Sequence, residues 1–317
     1  MKTYIAERLG IGLVTLLGMS VVIFVLLRLA PGNIVDILFS TGGYVNPSER
    51  LAIERELGLD KPLWAQYLDW LRQMAVGNLG KSYRYDLLAW EIIKPLIPVT
   101  LELAVLSLVI AVLLGVPMGV ISAVRQDTRL DYALRVFSLA GLSMPSFWLG
   151  MVNILGLVAW FGWIPPVTYV RPGENLGLHL VQFLLPALAV GYRSSALIMR
   201  FTRSSLLEVL REDYVRTAWA KGQTGRVVIW RHALKNAILP VVTVIGIEFA
   251  FLIGGLVVTE QVFNLPGLAR FLVQAILWRD YPIVQNLVMI TAVVVILSNL
   301  IVDMLYGVLD PRVRYGN

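Results

Sequence analysis

Long apolar runs, separated by shorter polar segments, dominate this chain of 317 residues. A helix needs about 20 predominantly apolar residues to cross the hydrocarbon core of a bilayer. Six runs of that kind are Leu9–Leu27, Leu103–Val124, Val136 past Trp160 to Pro165-Pro166, Leu178–Met199, Ala237–Thr259 and Tyr281–Val302. The pattern predicts an all-α membrane protein with six transmembrane helices. An even number of spans places both termini on the same side of the membrane.

Composition supports the membrane assignment. Hydrophobic residues make up 57% of the chain and charged residues 15%, whereas soluble domains average about 45–50% apolar and about 25% charged residues. The first run is longer than the apolar core of a signal peptide, and no small-x-small cleavage site precedes Ala30-Pro31, so we expect a retained helix. The absence of cysteine excludes disulfides and thiolate metal sites.

The basic residues predict the orientation, because Lys and Arg are retained on the cytoplasmic side of short loops. With the N-terminus inside, the segments 1–8, 125–135, 200–235 and 310–317 are cytoplasmic and hold 15 basic residues, against 3 in the two short outer loops. The long outer segment 31–95 is nearly exempt from the rule. We therefore predict an N-in, C-in topology, and the net charge of +6 reflects this asymmetry rather than nucleic-acid binding.

The stretch Ala75–Ser82, AVGNLGKS, superficially resembles the phosphate-binding loop of an ATPase. A P-loop requires Gly, four residues and then Gly-Lys-Ser/Thr, between a strand and a helix. Here Ala75 occupies the first glycine position, no β-type run precedes it, and Lys81 lies on the predicted outer side, where ATP is scarce. We interpret the stretch as a loop and expect no ATPase site, cofactor or metal on this chain.

The outer segment is predicted to contain two helices. Asn46-Pro47-Ser48-Glu49 has the cap residue, proline and early acid that begin a helix, which then runs to Leu57 and stops at Gly58. A second helix begins near Pro62, with apolar residues at helical spacing. These helices form either a lid packed on the ends of the spans or a surface that receives a partner.

The inner loop between the fourth and fifth spans has the most informative pattern. Asp213 and Glu212 precede Arg216 and Lys221, the charge order that suits a helix dipole. The small Ala218 and Ala220 would let this helix press closely against another surface, and Gly222 supplies a left-handed stop. A second amphipathic piece follows, and Leu239-Pro240 is expected to turn the chain into the fifth span. The segment is either a solvated basic loop or a rigid docking helix.

Within this loop, Arg216–Gly222, His232–Ala237 and Leu239-Pro240 resemble the coupling loop of ATP-binding-cassette (ABC) importer permeases, in particular the dipeptide, oligopeptide, nickel and glutathione branch. Arg216-Thr217-Ala218 replaces the Glu-Ala-Ala of general members, and the stretch from Gly222 to Leu239 is longer. Both departures are usual in this branch. Further resemblances extend over essentially the whole chain, at residues 28–32, 56–62, 77–82, 143–147, 263–268, 279–282 and 310–312.

The resemblance implies the B-type permease subunit of such an importer, with a type I importer permease fold. The implied partners are a homologous C-type permease, two ATPase subunits that bind ATP and Mg²⁺, and an extracytoplasmic substrate-binding protein, in the inner membrane of a prokaryote. The ATPase would dock on the helix matching 213–222, through Asp213, Tyr214, Arg216, Thr217, Ala218, Ala220, Lys221 and Gly222. Gly222→Trp or Ala218→Glu is expected to abolish transport while the chain still inserts.

The resemblance and the spans together predict four segments. They are the N-terminal segment with the first helix (1–30), an extracytoplasmic helical region (31–98), the permease core (99–310) with the cytoplasmic loop 200–237, and a tail (311–317).

Ionisable residues within spans are functional candidates, because a charge in the bilayer centre costs at least about 2.5–3.5 kcal/mol. Glu248 either faces the translocation path or is a buried carboxylate that is paired with Arg193 or hydrogen-bonded across the subunit interface. Asn299 and Asp303 share a helix face and form either a helix–helix hydrogen bond or a substrate contact. Glu102 and Glu260 lie near outer ends, where placement at the rim is sufficient. Pro145 and Pro186 are expected inside spans, as sites of kinks.

Three other classes of function explain the sequence less well. A secondary transporter would favour inverted repeats and charge pairs near the midplane, a membrane-embedded enzyme would carry a motif such as His-Glu-x-x-His, and a structural scaffold would leave the inner helix unexplained. Within the importer family, peptide is the expected cargo. A nickel chelate, glutathione, an opine or an oligosaccharide is the alternative.

Overall fold

The structure is a computed structural model that describes residues 2–30, 35–36, 47–56, 58–166 and 168–309. Its helices are, in chain order, α1 (Lys2–Leu29), α2 (Pro47–Glu56), α3 (Leu63–Ala75), α4 (Ala89–Ile93), α5 (Leu96–Val124), α6 (Arg129–Ser143), α7 (Ser146–Phe161), α8 (Leu176–Val209), α9 (Asp213–Ala220), α10 (Gly225–Val227), a π-helical turn (Val228–Ala233), α11 (Leu234–Gly255), α12 (Val257–Val262), α13 (Leu268–Leu277) and α14 (Tyr281–Leu309). Predicted features at 31–32, Asn46, Leu57 and 310–317 lie outside the described residues.

In the described part, five helical segments are long and apolar enough to cross a membrane: Ile5–Leu29, Ala89–Val124, Leu176–Val209, Gly225–Gly255 and Tyr281–Met304. The pair α6 and α7 makes a sixth if it is counted as one span. All six predicted runs therefore fall on helices, and the all-α membrane fold is confirmed.

The third span is sharply bent at Pro145, one of the two prolines expected to be sites of kinks. Helices α6 and α7 meet at an angle of 102°, and Pro145 caps the start of α7 instead of lying inside a helix. The ring of a proline disfavours helical geometry at the preceding residue, and Met144 is extended, with φ −98° and ψ 130°. By contrast, Pro186 lies inside α8 as predicted, and Pro240 lies inside α11, so the expected turn at Leu239-Pro240 is absent.

The described residues form two compact units. The first combines Met1–Val99 with Gly267–Ile296, and the second combines Thr100–Pro266 with Leu297–Asn317. The core of the first unit joins α4, α13 and the start of α14 through Ala89, Ile93, Leu268, Ala275, Ile283, Val284 and Leu287.

Helix α3 packs on the outer end of α1 within the first unit. The Tyr67 hydroxyl lies 3.0 Å from Ser20 Oγ, and Arg28 Nε donates to Gln66 Oε1 at 3.0 Å. The ring of Phe24 meets that of Tyr67 edge to face at 5.2 Å. The predicted second outer helix is therefore confirmed, and it is held against the chain by aromatic and polar contacts.

The stretch that resembles a P-loop forms a hydrogen-bonded turn. Gly77 and Gly80 both have positive φ, and the next helix begins only at Ala89, so the helix that a P-loop requires after Ser82 is missing. Ser82 Oγ instead donates to the buried carboxylate of Asp280, which also accepts from the backbone N–H of Tyr83 at 3.2 Å. Burial raises the pKa of Tyr83 to about 12.

In the second unit, α5 and α8 cross in close contact through glycines. A Cβ atom at Gly115 would lie 2.7 Å from the carbonyl oxygen of Ser195, and one at Gly119 would lie 2.8 Å from that of Met199. Gly191 of α8 makes the reciprocal approach to α5. Small residues four apart let helix backbones approach closely in membranes, so these glycines fix the distance between the two helices.

Candidate functional site

The candidate site is α9 together with the chain that follows it. The helix begins after Glu212, which is extended, and Asp213 lies in its first turn. It ends at Ala220, and Gly222, the residue after the C-cap Lys221, has a φ of +74°. The N–H of Gln223 bonds to the carbonyl of Ala218 at 3.4 Å, which together with the left-handed glycine forms a Schellman-type stop. The stop predicted at Gly222 is confirmed.

Helix α9 has a buried face and an exposed face. Val215 is 0% exposed, and Ala218, a member of the predicted docking set, is 6% exposed. The other members of that set are exposed: Asp213, Tyr214, Arg216, Thr217, Ala220, Lys221 and Gly222. Only Ala220 of the two alanines is thus available to another surface. Ala218→Glu would place a carboxylate in the chain's own core, so that variant tests packing rather than docking.

The buried face of α9 packs into an apolar cluster built from several helices. The cluster consists of Val120, Ala123, Leu206, Val215, Ala218, Val228, Ala233 and Ala237. Burying a valine such as Val215 contributes about 1.5–3 kcal/mol. Helix α9 is therefore packed against the inner ends of α5, α8 and α11 and is not a solvated loop.

The exposed face of α9 carries charge without strong internal pairing. Arg216 Nη1 lies 3.4 Å from Asp213 Oδ1, and both side chains are largely exposed, at 72% and 97%. Such surface pairs contribute at most about 1 kcal/mol. These charges thus remain free to interact with another protein.

A second inner feature, a buried ion pair, was not predicted from the sequence. Asp131 of α6 is 0% exposed and accepts from Arg203 Nε at 3.0 Å and Nη2 at 2.9 Å. It also accepts from Ser122 Oγ of α5. The one signal in the sequence is Thr128, which caps α6 by accepting from the N–H of Asp131. This capping pattern marks the start of a helix, but it does not show that Asp131 pairs with Arg203.

Glu248 and Arg193 do not form the predicted ion pair. Glu248 is 8% exposed, and its Oε2 atom has no hydrogen-bond partner. Arg193 instead lies 5.7 Å from the centre of the Phe251 ring, and no ion pair joins it to Glu248 within the described part of the chain. Asn299 is exposed and Asp303 is half-buried.

The two outer carboxylates both have polar partners. Glu102 Oε1 lies 2.8 Å from His179 Nε2, whose other ring nitrogen lies 2.8 Å from the carbonyl oxygen of Val170. Glu260 accepts from Thr100 Oγ1 at 2.6 Å. Both contacts tie structural elements of the second unit together. The described residues contain no group of three or more His, Asp or Glu side chains placed to hold a metal ion.

Two family models match the sequence. The model described as "Binding-protein-dependent transport system inner membrane component" matches residues 115–315. The model for the N-terminal part of such membrane components matches residues 1–104. The matches cover almost the whole chain.

Several characterised relatives are similar over their full length. The dipeptide transport system permease protein DppB of Escherichia coli (strain K12) is 39% identical over 99% of each chain. The di/tripeptide transport system permease protein DppB of Pseudomonas aeruginosa (strain UCBPP-PA14) is 40% identical over 99% of each chain. The oligopeptide transport system permease protein AppB of Bacillus subtilis (strain 168) is 36% identical over 99% of this chain and 100% of its own.

A solved structure shares the fold. The MetNI methionine ABC transporter in inward-facing conformations matches with a TM-score of 0.56 and 17% identity, over 69% of this chain and 96% of that chain.

Proposed function

Because the chain belongs to the family of binding-protein-dependent transport system inner membrane components, we propose that it is the pore-forming permease subunit of an ABC importer that carries di- and oligopeptides. The proposed mechanism depends on the placement of α9. It is a short helix with one face fused to the inner ends of the membrane helices and the other face exposed. A cytoplasmic partner that displaces such a helix also displaces the membrane helices to which it is packed.

In the proposed mechanism, an ATPase subunit docks on the exposed face of α9. Closure of an ATPase dimer on binding ATP would move α9, and with it α5, α8 and α11, between inward-facing and outward-facing packings. This is a population shift between two arrangements, supplied by the difference in ATPase contacts between the two states. The ATP and Mg²⁺ chemistry belongs to the partner, and this chain contributes no catalytic group.

The proposed complex also contains a homologous C-type permease, a second ATPase subunit and an extracytoplasmic substrate-binding protein, in the inner membrane of a prokaryote. Peptide cargo is supported by the names of the relatives, which transport dipeptides, di/tripeptides and oligopeptides.

The docking proposal is tested with Ala220→Trp, because Ala220 is exposed on α9 and an indole there would block close approach while leaving the buried face intact. We expect ATP-dependent peptide uptake in proteoliposomes to fall at least about tenfold, the loss that a contact worth about 1.4 kcal/mol produces. Ala133→Trp is the matched control, since Ala133 is an exposed alanine of α6. Wild-type uptake by a fully assembled Ala220→Trp complex would overturn the docking assignment.

A further inference from the structure

The fifth membrane helix starts in the cytoplasm as a continuous helix with one wide turn. Helix α10, the π-helical turn Val228–Ala233 and α11 follow one another without a break, and Gly225–Gly255 forms a single apolar segment. π-Turns are rare and occur frequently at functional sites, and they are among the recognised causes of helix kinks. The wide turn is therefore, together with Pro240, a place where this helix can bend.

The hydroxyl of Tyr214 bridges this wide turn to α9. Asn236 Nδ2 donates to Tyr214 Oη at 2.7 Å, and Tyr214 Oη lies 3.4 Å from the carbonyl oxygen of His232, to which it donates. His232 lies inside the π-turn and Asn236 lies in the first turn of α11. One phenol on α9 thus contacts the backbone of the wide turn and a side chain just beyond it.

Apolar contacts join the same elements, but they have a different effect. Val215 and Ala218 of α9 share a cluster with Val228 and Ala233 of the π-turn. Apolar burial is non-directional, so this packing opposes separation of the elements more than it specifies their rotation. A hydrogen bond weakens steeply away from linearity, so the Tyr214 bridge adds a directional constraint on the rotational setting of α11 relative to α9.

We propose that Tyr214 and Asn236 are positioning residues that transmit the movement of α9 into α11. With the bridge in place, a displacement of α9 moves the fifth membrane helix as one body. Without it, the π-turn absorbs the displacement. The inference rests on the proposed function, because α9 is driven only if an ATPase docks there.

The test uses Tyr214→Phe, Asn236→Ala and the double variant in the complete importer, reconstituted with its binding protein and ATPases. The readout is the number of peptides taken up per ATP hydrolysed. Each single variant should lower this ratio about two- to tenfold, the factor that corresponds to one hydrogen bond of ordinary net strength. The double variant should fall no further than Tyr214→Phe alone, because Asn236→Ala removes one of the two hydrogen bonds that Tyr214→Phe removes. Tyr132→Phe is the matched control, since Tyr132 is an exposed tyrosine of α6.

Other roles of Tyr214 give other results. If its hydroxyl served only folding, the yield of complex would fall and the uptake per ATP would not, which would overturn the inference. A Tyr214→Phe complex with the wild-type ratio, or effects of the two variants that multiply, would overturn it as well. If the wild-type complex took up peptide without consuming ATP, the proposed function would fall, and this inference with it. Wild-type ATP-driven uptake combined with an unchanged Tyr214→Phe ratio would overturn the inference alone.

Discussion

Replacing Gly119 by alanine tests whether the close crossing of α5 and α8 holds the second unit together. The added Cβ would lie 2.6 Å from Thr202 Cβ, which is 0.8 Å short of the 3.4 Å at which ordinary contact begins. It would also lie 2.8 Å from the carbonyl oxygen of Met199. Since one of these atoms is backbone, a rotamer change cannot relieve the clash and the two helices must separate.

Separation of the two helices lowers the stability of the folded protein. A gap of about 0.5–1 Å forfeits roughly a quarter to a half of the dispersion energy at a contact, and overpacking of this kind typically costs about 1–3 kcal/mol. Alanine has a better helix propensity than glycine by about 0.8–1.0 kcal/mol, which offsets part of the cost. Gly18→Ala is the matched control, because Gly18 lies within α1 with nothing within 4 Å of an added Cβ. We expect Gly119→Ala to be less stable than Gly18→Ala by about 1–3 kcal/mol.

The assay is thermal unfolding in lipid nanodiscs, followed by the intrinsic fluorescence of the 9 tryptophans. A difference of 1 kcal/mol shifts the Tm of proteins somewhat smaller than this one by about 2–4 °C, so the two variants should be clearly separated. If both glycine variants unfolded at the same temperature, or Gly119→Ala were the more stable, the argument from close helix packing would be refuted.

Two further predictions concern buried carboxylates. Asp131→Ala leaves the guanidinium of Arg203 without its bidentate partner and should lower the free energy of unfolding by about 3–5 kcal/mol. Arg203→Lys keeps the positive charge and should lower it less. Equal Tm values for Asp131→Ala and the wild type would contradict this prediction. Asp280→Ala removes the carboxylate that accepts hydrogen bonds from Ser82, Tyr83 and Arg84 of the outer turn, and should speed hydrogen exchange of the amides at 82–85 at least about fivefold, as loss of about 1 kcal/mol implies. Asp60→Ala, at an exposed position, should leave this exchange unchanged. Unchanged exchange in Asp280→Ala would argue against the anchoring role of Asp280.

The parts of the fold that depend on local pattern were predictable from the sequence. The apolar runs fall on helices, α3 begins after Pro62, and Gly222 ends α9 because only a left-handed residue fits there. The sequence did not show which of the prolines would interrupt a helix. Pro145 breaks a span, whereas Pro186 and Pro240 lie inside helices, and the surrounding packing decides which occurs.

Contacts between distant residues were not predictable. Asp131 and Arg203 are 72 residues apart, and no spacing rule links them. The orientation of α9 was also ambiguous, because its eight residues carry small side chains at both Ala218 and Ala220. Only the tertiary structure shows that the first packs inward and the second outward.

Isolation of the complex tests whether this chain is the permease of an ATP-driven importer. The tagged chain is expressed with its neighbouring genes, solubilised gently and purified, and the proteins that accompany it are identified. We predict a second permease and one or two kinds of ATPase subunit, with loss of the ATPase in Ala220→Trp. If the chain were isolated alone and moved peptides in liposomes without ATP, the account of α9 as a coupling helix would be contradicted.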